Sequence, residues 1–103
     1  MTPEGKTKAK IKKLLNSYGA YSYMPVSNGM GAPSLDYLCC INEKFFAVEA
    51  KAWDSNKDMT LRQKLTAKEM MLAGATVFMV RDAASLTCLE YWIKDAAAEV
   101  LDI

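Results

Sequence analysis

Two apolar, strand-forming segments, 35–41 and 45–51, are separated by Asn42 and Glu43, which directs the middle of the chain into a tight β-hairpin. Asparagine tolerates the positive φ that two-residue hairpin turns require, and Phe45, Phe46 and Val48 are good strand formers. Strand alternation puts Phe45, Ala47, Glu49 and Lys51 on one face and Phe46, Val48 and Ala50 on the other. A turn at Asn42-Glu43 also sets the register, and that register places Asp36 opposite Glu49.

Cross-strand neighbours have Cβ atoms roughly 4.5–5.5 Å apart, and two carboxylates held that close repel each other unless a cation lies between them. Hard oxygen ligands suit Mg²⁺ or Mn²⁺ better than zinc. A lysine two residues beyond the second carboxylate can meet a phosphate or the attacking water, so Asp36, Glu49 and Lys51 form the parts list of metal-dependent phosphodiester cleavage. The plainer alternative is a structural charge cluster or a solvated strand end, and for an isolated E-x-K it would be preferred. Asp36 in this register, with apolar residues all round, favours the catalytic reading.

The chain contains no histidine. That excludes Ser-His-Asp and Cys-His catalysis, histidine zinc sites and a histidine general base, and leaves carboxylate, lysine and metal-activated water for acid and base chemistry. A net charge of +1 exerts no global pull on nucleic acid, so binding would have to come from local patches. The 103 residues suit one domain, 1–103. Neither a membrane-length apolar run nor a hydrophobic signal core is present, and an intracellular, cytoplasmic protein is expected. Cys39, Cys40 and Cys88 match neither a disulfide framework nor zinc-ligand spacing and read as small core residues.

Thr2-Pro3-Glu4 is a helix start, with the helix ending before Gly19. Ile11, Leu14, Leu15 and Tyr18 form its apolar stripe, with Lys6, Lys10 and Lys13 opposite. Glu4 falls on the apolar stripe and is a candidate site carboxylate, though a dipole-compensating first-turn glutamate explains it equally well. The lysines are candidate backbone-phosphate contacts or simply a solvated face. A strand over 20–26 leads into a glycine-bearing loop, 27–33, that either approaches substrate or only turns. Trp53 reads as core in preference to a base-stacking surface. Thr60 and Gln63 have capping-box spacing at the start of a second helix. One stripe of that helix, Gln63, Ala67, Met70 and Gly74, suits packing on a sheet; the other, Leu61, Leu65 and Leu72, needs the last helix or another subunit to cover it. The segment 75–80 reads as a buried strand, Asp82 as an N-cap, and Leu86, Leu89, Ile93 and Ala97 as the core face of a last helix, with Tyr91 and Trp92 as packing residues. The expected fold is α/β, a small mixed sheet flanked by helices.

Asp36 followed by Glu49-Ala50-Lys51 resembles the D…(D/E)xK signature of the PD-(D/E)xK nucleases, whose core is restriction-endonuclease-like. Glu4 near the first helix, Gly31-Ala32-Pro33 before the aspartate, FFAVEAKA, Gln63 and Gly74-Ala75 together resemble the VRR-NUC family, in particular its small stand-alone phage and bacterial members. The resemblance runs from about Thr2 to Asp82. Many members carry the aspartate directly after the proline, whereas Ser34 and Leu35 intervene here. The resemblance implies an endonuclease using Mg²⁺ or Mn²⁺. Asp36, Glu49 and the Ala50 carbonyl would hold the metal, Glu4 would extend the site through water, Lys51 would act on the attacking water, and Gln63 would position it. It further implies a homodimer acting on branched DNA such as four-way (Holliday) junctions. The competing readings are a non-catalytic nucleic-acid-binding module and a phage interaction module on the same fold.

Overall fold

The computed structural model describes residues 1–26 and 32–98. Within them the chain forms α1 (Pro3–Ser17), β1 (Tyr21–Tyr23), β2 (Tyr37–Ile41), β3 (Lys44–Ala50), α2 (Leu61–Leu72), β4 (Thr76–Val80) and α3 (Ala83–Ala98). The strands make one sheet in the order β1-β2-β3-β4, antiparallel except for the parallel β3–β4 pair. This is the mixed, helix-flanked α/β sheet expected from the sequence. Residues 27–31 of the expected glycine loop lie outside the described residues.

The hairpin forms in the expected register, with Tyr37 paired to Val48 and Cys39 to Phe46. Asn42 and Glu43 take φ values of 48° and 68°, the positive pair that a mirror-image two-residue turn demands. Asn42 Nδ2 also donates to the Ala96 carbonyl at 3.0 Å, fastening the turn to α3.

Each face of the sheet has its own cover. Tyr37, Cys39, Ile41, Phe46, Val48, Ala50 and Val80 bury against Ile11 and Leu15 of α1 and Leu89 and Ile93 of α3. Phe46, Phe78 and Trp92 form an aromatic cluster there, with Phe46 and Trp92 centroids 4.9 Å apart. On the opposite face Leu35, Ala47 and Ala67 are buried, with Leu38, Met59, Met70 and Val77 around them, under α2. Helix α1 is capped by Thr2, whose hydroxyl accepts from Gly5 N–H, and ends ahead of Gly19, where φ is 71°. The Asp82 carboxylate accepts from Ser85 N–H at 2.8 Å, as an N-cap of α3 does.

Several expectations need correction. β1 covers only Tyr21–Tyr23, not 20–26, because it is an edge strand paired on one side, and Tyr21 and Tyr23 are exposed. Cys39 is buried, but Cys40 points to the other face beyond the reach of α2 and Cys88 lies on the outer side of α3, so both are exposed. Trp92 packs in the core, whereas Tyr91 is exposed. The last helix does not cover the second stripe of α2, since α2 and α3 lie on opposite faces of the sheet. Leu61, Leu65 and Leu72 are exposed in the single chain.

Candidate active site

β2 begins at Tyr37, so just before it the sheet's backbone groups look to side chains for partners. The Asp36 N–H donates to Glu49 Oε1 at 3.1 Å, and the Ala50 N–H donates to Asp36 Oδ2 at 2.8 Å. The two carboxylates thus extend the β2–β3 ladder by one reciprocal step. Their positions follow from the strand register, and no loop conformation is needed to bring them together. Both lie on the α2 face.

Helix α2 supplies the rest of the constellation. Gln63 Oε1 accepts from Thr60 N–H at 3.0 Å, completing the capping box, and also from Lys51 Nζ at 2.7 Å. Its Nε2 donates to Glu49 Oε2 at 2.9 Å. The helix-capping role of Gln63 and the site role that the resemblance implies make demands on one side chain. A single conformer completes the cap and bonds both Lys51 and Glu49, because the cap lies directly over the end of β3. Lys51 Nζ also pairs with Glu49 Oε2 at 3.7 Å, and both side chains are nearly buried.

The backbone around Lys51 is clamped from the other side. The Thr7 hydroxyl, fully buried, donates to the Lys51 carbonyl at 2.7 Å, and the Trp53 N–H donates to the Pro3 carbonyl at 3.1 Å. The first turn of α1 therefore lies beside 51–53, past the end of β3. This explains Glu4. Its angular position on the helix is inward, as expected, but it overhangs the end of the sheet and is exposed instead of facing it. Its carboxylate pairs with Lys8 Nζ at 3.6 Å, and Lys8 Nζ lies 3.8 Å from Asp36 Oδ1.

Glu49 is 3% exposed, and its pKa is pushed up to about 7. Burial is the largest cause and the Asp36 charge the next, offset in part by Lys51 and by the Asp36 N–H. Two crowded carboxylates, one buried and one half-buried, offer the oxygen ligands that fit a hard divalent cation. Among the described residues no group of three acidic, cysteine or histidine side chains converges on one point. A metal at this centre would accordingly be held by Asp36, Glu49 and backbone or solvent oxygen.

The carboxylates open onto a cleft of about 500 Å³, lined by Pro33, Ser34, Leu35, Thr60, Arg62 and Gln63 among others. Arg62 was not singled out in the sequence, although its place between the Thr60 cap and Gln63 is a usable signal. Lys8 belongs to the basic run of α1 read from the sequence as a candidate phosphate contact, but its pairing with Glu4 and Asp36 was not foreseen, although the i,i+4 spacing from Glu4 is legible. A larger cleft of about 600 Å³ lies at the hairpin end among Leu38, Phe45, Met70 and Trp92, away from the site. The three lysines chosen as nucleic-acid contacts do not line the carboxylate cleft. Lys6 borders a separate cleft of about 310 Å³ with Trp53, and Lys13 is exposed. Lys10 is half-buried and not simply solvated, because its ammonium sits 4.8 Å from the centre of the Trp53 ring. Trp53 itself packs against the core.

No protein-family model matches the sequence, and no curated protein matches it. Among solved structures the chain is similar to one described as a VRR_NUC domain, with a TM-score of 0.75 and 21% identity, over 86% of this chain and 95% of that one. At that identity the likeness is one of fold, and it bears out the fold expected from the sequence motifs. Among the described residues, no helix is long and apolar enough to cross a membrane.

Proposed function

We propose that this chain is a divalent-metal-dependent endonuclease that hydrolyses DNA phosphodiester bonds, with structure-selective action on branched DNA such as four-way junctions. The observation that carries the reading is the reciprocal Asp36–Glu49 pair at the end of β3, Glu49 buried and Asp36 half-buried, with Gln63 bonded to Glu49 and to Lys51. The likeness of fold to a VRR_NUC domain supports it.

Asp36, Glu49 and the carbonyl of Ala50 would hold Mg²⁺ or Mn²⁺, with solvent completing the shell. The cation supplies Lewis-acid polarisation of the phosphate and a water of lowered pKa. Lys51 orients the attacking water and stabilises the negative charge that grows on the phosphoryl oxygens as one P–O bond forms and another breaks. Gln63 holds the Lys51 ammonium in place, so that little reorganisation is needed when the charge develops. Arg62, at the cleft, is suited to a backbone phosphate. Lys6, Lys10 and Lys13 offer α1 as a second, more distant backbone contact.

A domain of this size has little surface for reading base sequence, which favours recognition of nucleic-acid shape. The exposed Leu61, Leu65 and Leu72 supply an apolar face for a homodimer, and a dimer carries two sites suited to paired cuts on a junction.

The test is cleavage of a labelled four-way junction, with linear duplex and a 5′ flap alongside, in Mg²⁺, Mn²⁺ or EDTA. The expected result is metal-dependent cutting, strongest on the junction and absent in Glu49→Ala and Lys51→Ala. Junction binding with no cutting in either metal would transfer the assignment to a non-catalytic binding module. Absence of any salt-sensitive DNA binding would instead favour an interaction protein.

A further inference from the structure

Among the described residues, the carboxylate oxygens of the centre are not equally engaged. Asp36 Oδ2 accepts from Ala50 N–H, Glu49 Oε1 from Asp36 N–H, and Glu49 Oε2 from Gln63 Nε2. Asp36 Oδ1 instead faces the Lys8 ammonium at 3.8 Å, a separation of charge attraction and not of a formed hydrogen bond. That ammonium is also 3.6 Å from Glu4 Oε2, one helical turn back on the same helix. Lys8 is thus suspended between a carboxylate of the centre and one outside it. Its side chain is 30% exposed, which leaves it room to move between them.

We propose that Lys8 is a displaceable counter-ion of the centre, competing with the divalent cation for Asp36 and sheltered by Glu4 once displaced. This rests on the metal-dependent reading above. A cation ligated by Asp36 Oδ1 brings two positive charges to the oxygen that Lys8 attends, and like charges at that distance repel. The ammonium has somewhere to go, because a lysine four residues after a glutamate pairs with it along the helix at almost no conformational cost. The helix backbone does not have to follow, since Thr7 anchors that turn to the Lys51 carbonyl. Glu4 then acts on the metal through Lys8. It is a positioning residue and does not coordinate the cation, even through water. The arrangement keeps the carboxylate pair partly neutralised in the metal-free protein, at the expense of some metal affinity.

The two roles of Glu4 separate in a double-mutant cycle read by calorimetric titration of the full chain with Mn²⁺, without DNA, at about pH 8 so that the carboxylates are ionised. Lys8→Met should tighten Mn²⁺ binding by about 5- to 10-fold, and Lys8→Gln should do the same, an effect typical of removing one unfavourable charge. Glu4→Gln alone should weaken binding by roughly 2- to 3-fold, because Lys8 then has only Asp36 to pair with. In the Lys8→Met background Glu4→Gln should change nothing. Asp36→Asn should abolish binding, and melting curves of each variant report that it is folded.

Unchanged or weaker Mn²⁺ affinity in both Lys8 variants, with wild-type binding intact, overturns the competition and leaves the nuclease reading standing. An undiminished Glu4→Gln effect in the Lys8→Met background makes Glu4 part of the metal's own shell and overturns the sheltering role. Equal Mn²⁺ binding by wild type and Asp36→Asn, or none by either, removes the centre and this inference with it.

Discussion

The Gln63 amide ties three groups together, the Thr60 N–H, the Lys51 ammonium and the Glu49 carboxylate, and each contact is 3.0 Å or shorter. Losing it removes half of a capping box and leaves a nearly buried ammonium short of an acceptor. Gln63→Ala should therefore cost about 1–2 kcal/mol, seen as a Tm lower by roughly 5–10 °C, and cut cleavage about 10- to 100-fold. An unchanged Tm would show that the cap contributes nothing here. Glu49 makes a second prediction at this scale. Its folded pKa, about 7, lies above its ordinary value of 4.5, so the folded state binds more protons between those limits. Stability of the metal-free protein should be full below about pH 4.5 as far as this group is concerned, and fall as pH rises through 7, by at most about 2–3 kcal/mol. Denaturant titrations in EDTA at stepped pH should show that slope, and Glu49→Gln should flatten it.

Among the elements, α1 and β3 meet end to end. The buried Thr7 hydroxyl satisfies the Lys51 carbonyl, and Pro3 satisfies the Trp53 amide, so the helix start fixes the backbone just after the strand's end. Thr7→Val keeps the shape but orphans that carbonyl. The expected cost is about 1–3 kcal/mol, with a larger loss of kcat than of KM, because Lys51 is misplaced while the cleft is intact. The β2–β3 turn makes a prediction of opposite sign. Glu43 sits at a φ of 68°, which glycine adopts freely. Glu43→Gly should raise stability by up to about 1 kcal/mol without touching the distant carboxylates, and a lower Tm would mean that the Glu43 side chain makes a compensating contact.

For the whole molecule, the two faces of the sheet are unequally covered. α1 and α3 close one face, whereas α2 alone lies over the other and turns Leu61, Leu65, Met71 and Leu72 outward at 52–81% exposure. An exposed apolar stripe of this kind, interrupted by Lys68, suits a subunit interface. Sedimentation should find a dimer for the wild type and a folded monomer for Leu65→Lys combined with Leu72→Lys, and the monomer should lose paired cutting of a junction. A wild type that stays monomeric at high concentration would detach the dimer from the proposed function.

Much of this was legible in one dimension because it rests on local rules. The hairpin register needs only a turn that tolerates positive φ and the two-residue period of a strand, and those two facts alone bring Asp36 to Glu49. The caps at Thr2, Thr60 and Asp82 are equally local, decided by side chains within three residues of the helix start. Tertiary structure decided what depends on where an element ends in space. Helical periodicity gave the angle of Glu4 correctly but not its overhang beyond the sheet, which turned a candidate inward carboxylate into an exposed partner of Lys8. The same periodicity put Lys10 opposite the apolar stripe and could not foresee the Trp53 ring beneath its ammonium. Gln63 can complete its cap and bond Lys51 and Glu49 at once only because α2 begins directly over the end of β3. That juxtaposition spans a loop of about ten residues, and no sequence spacing encodes it.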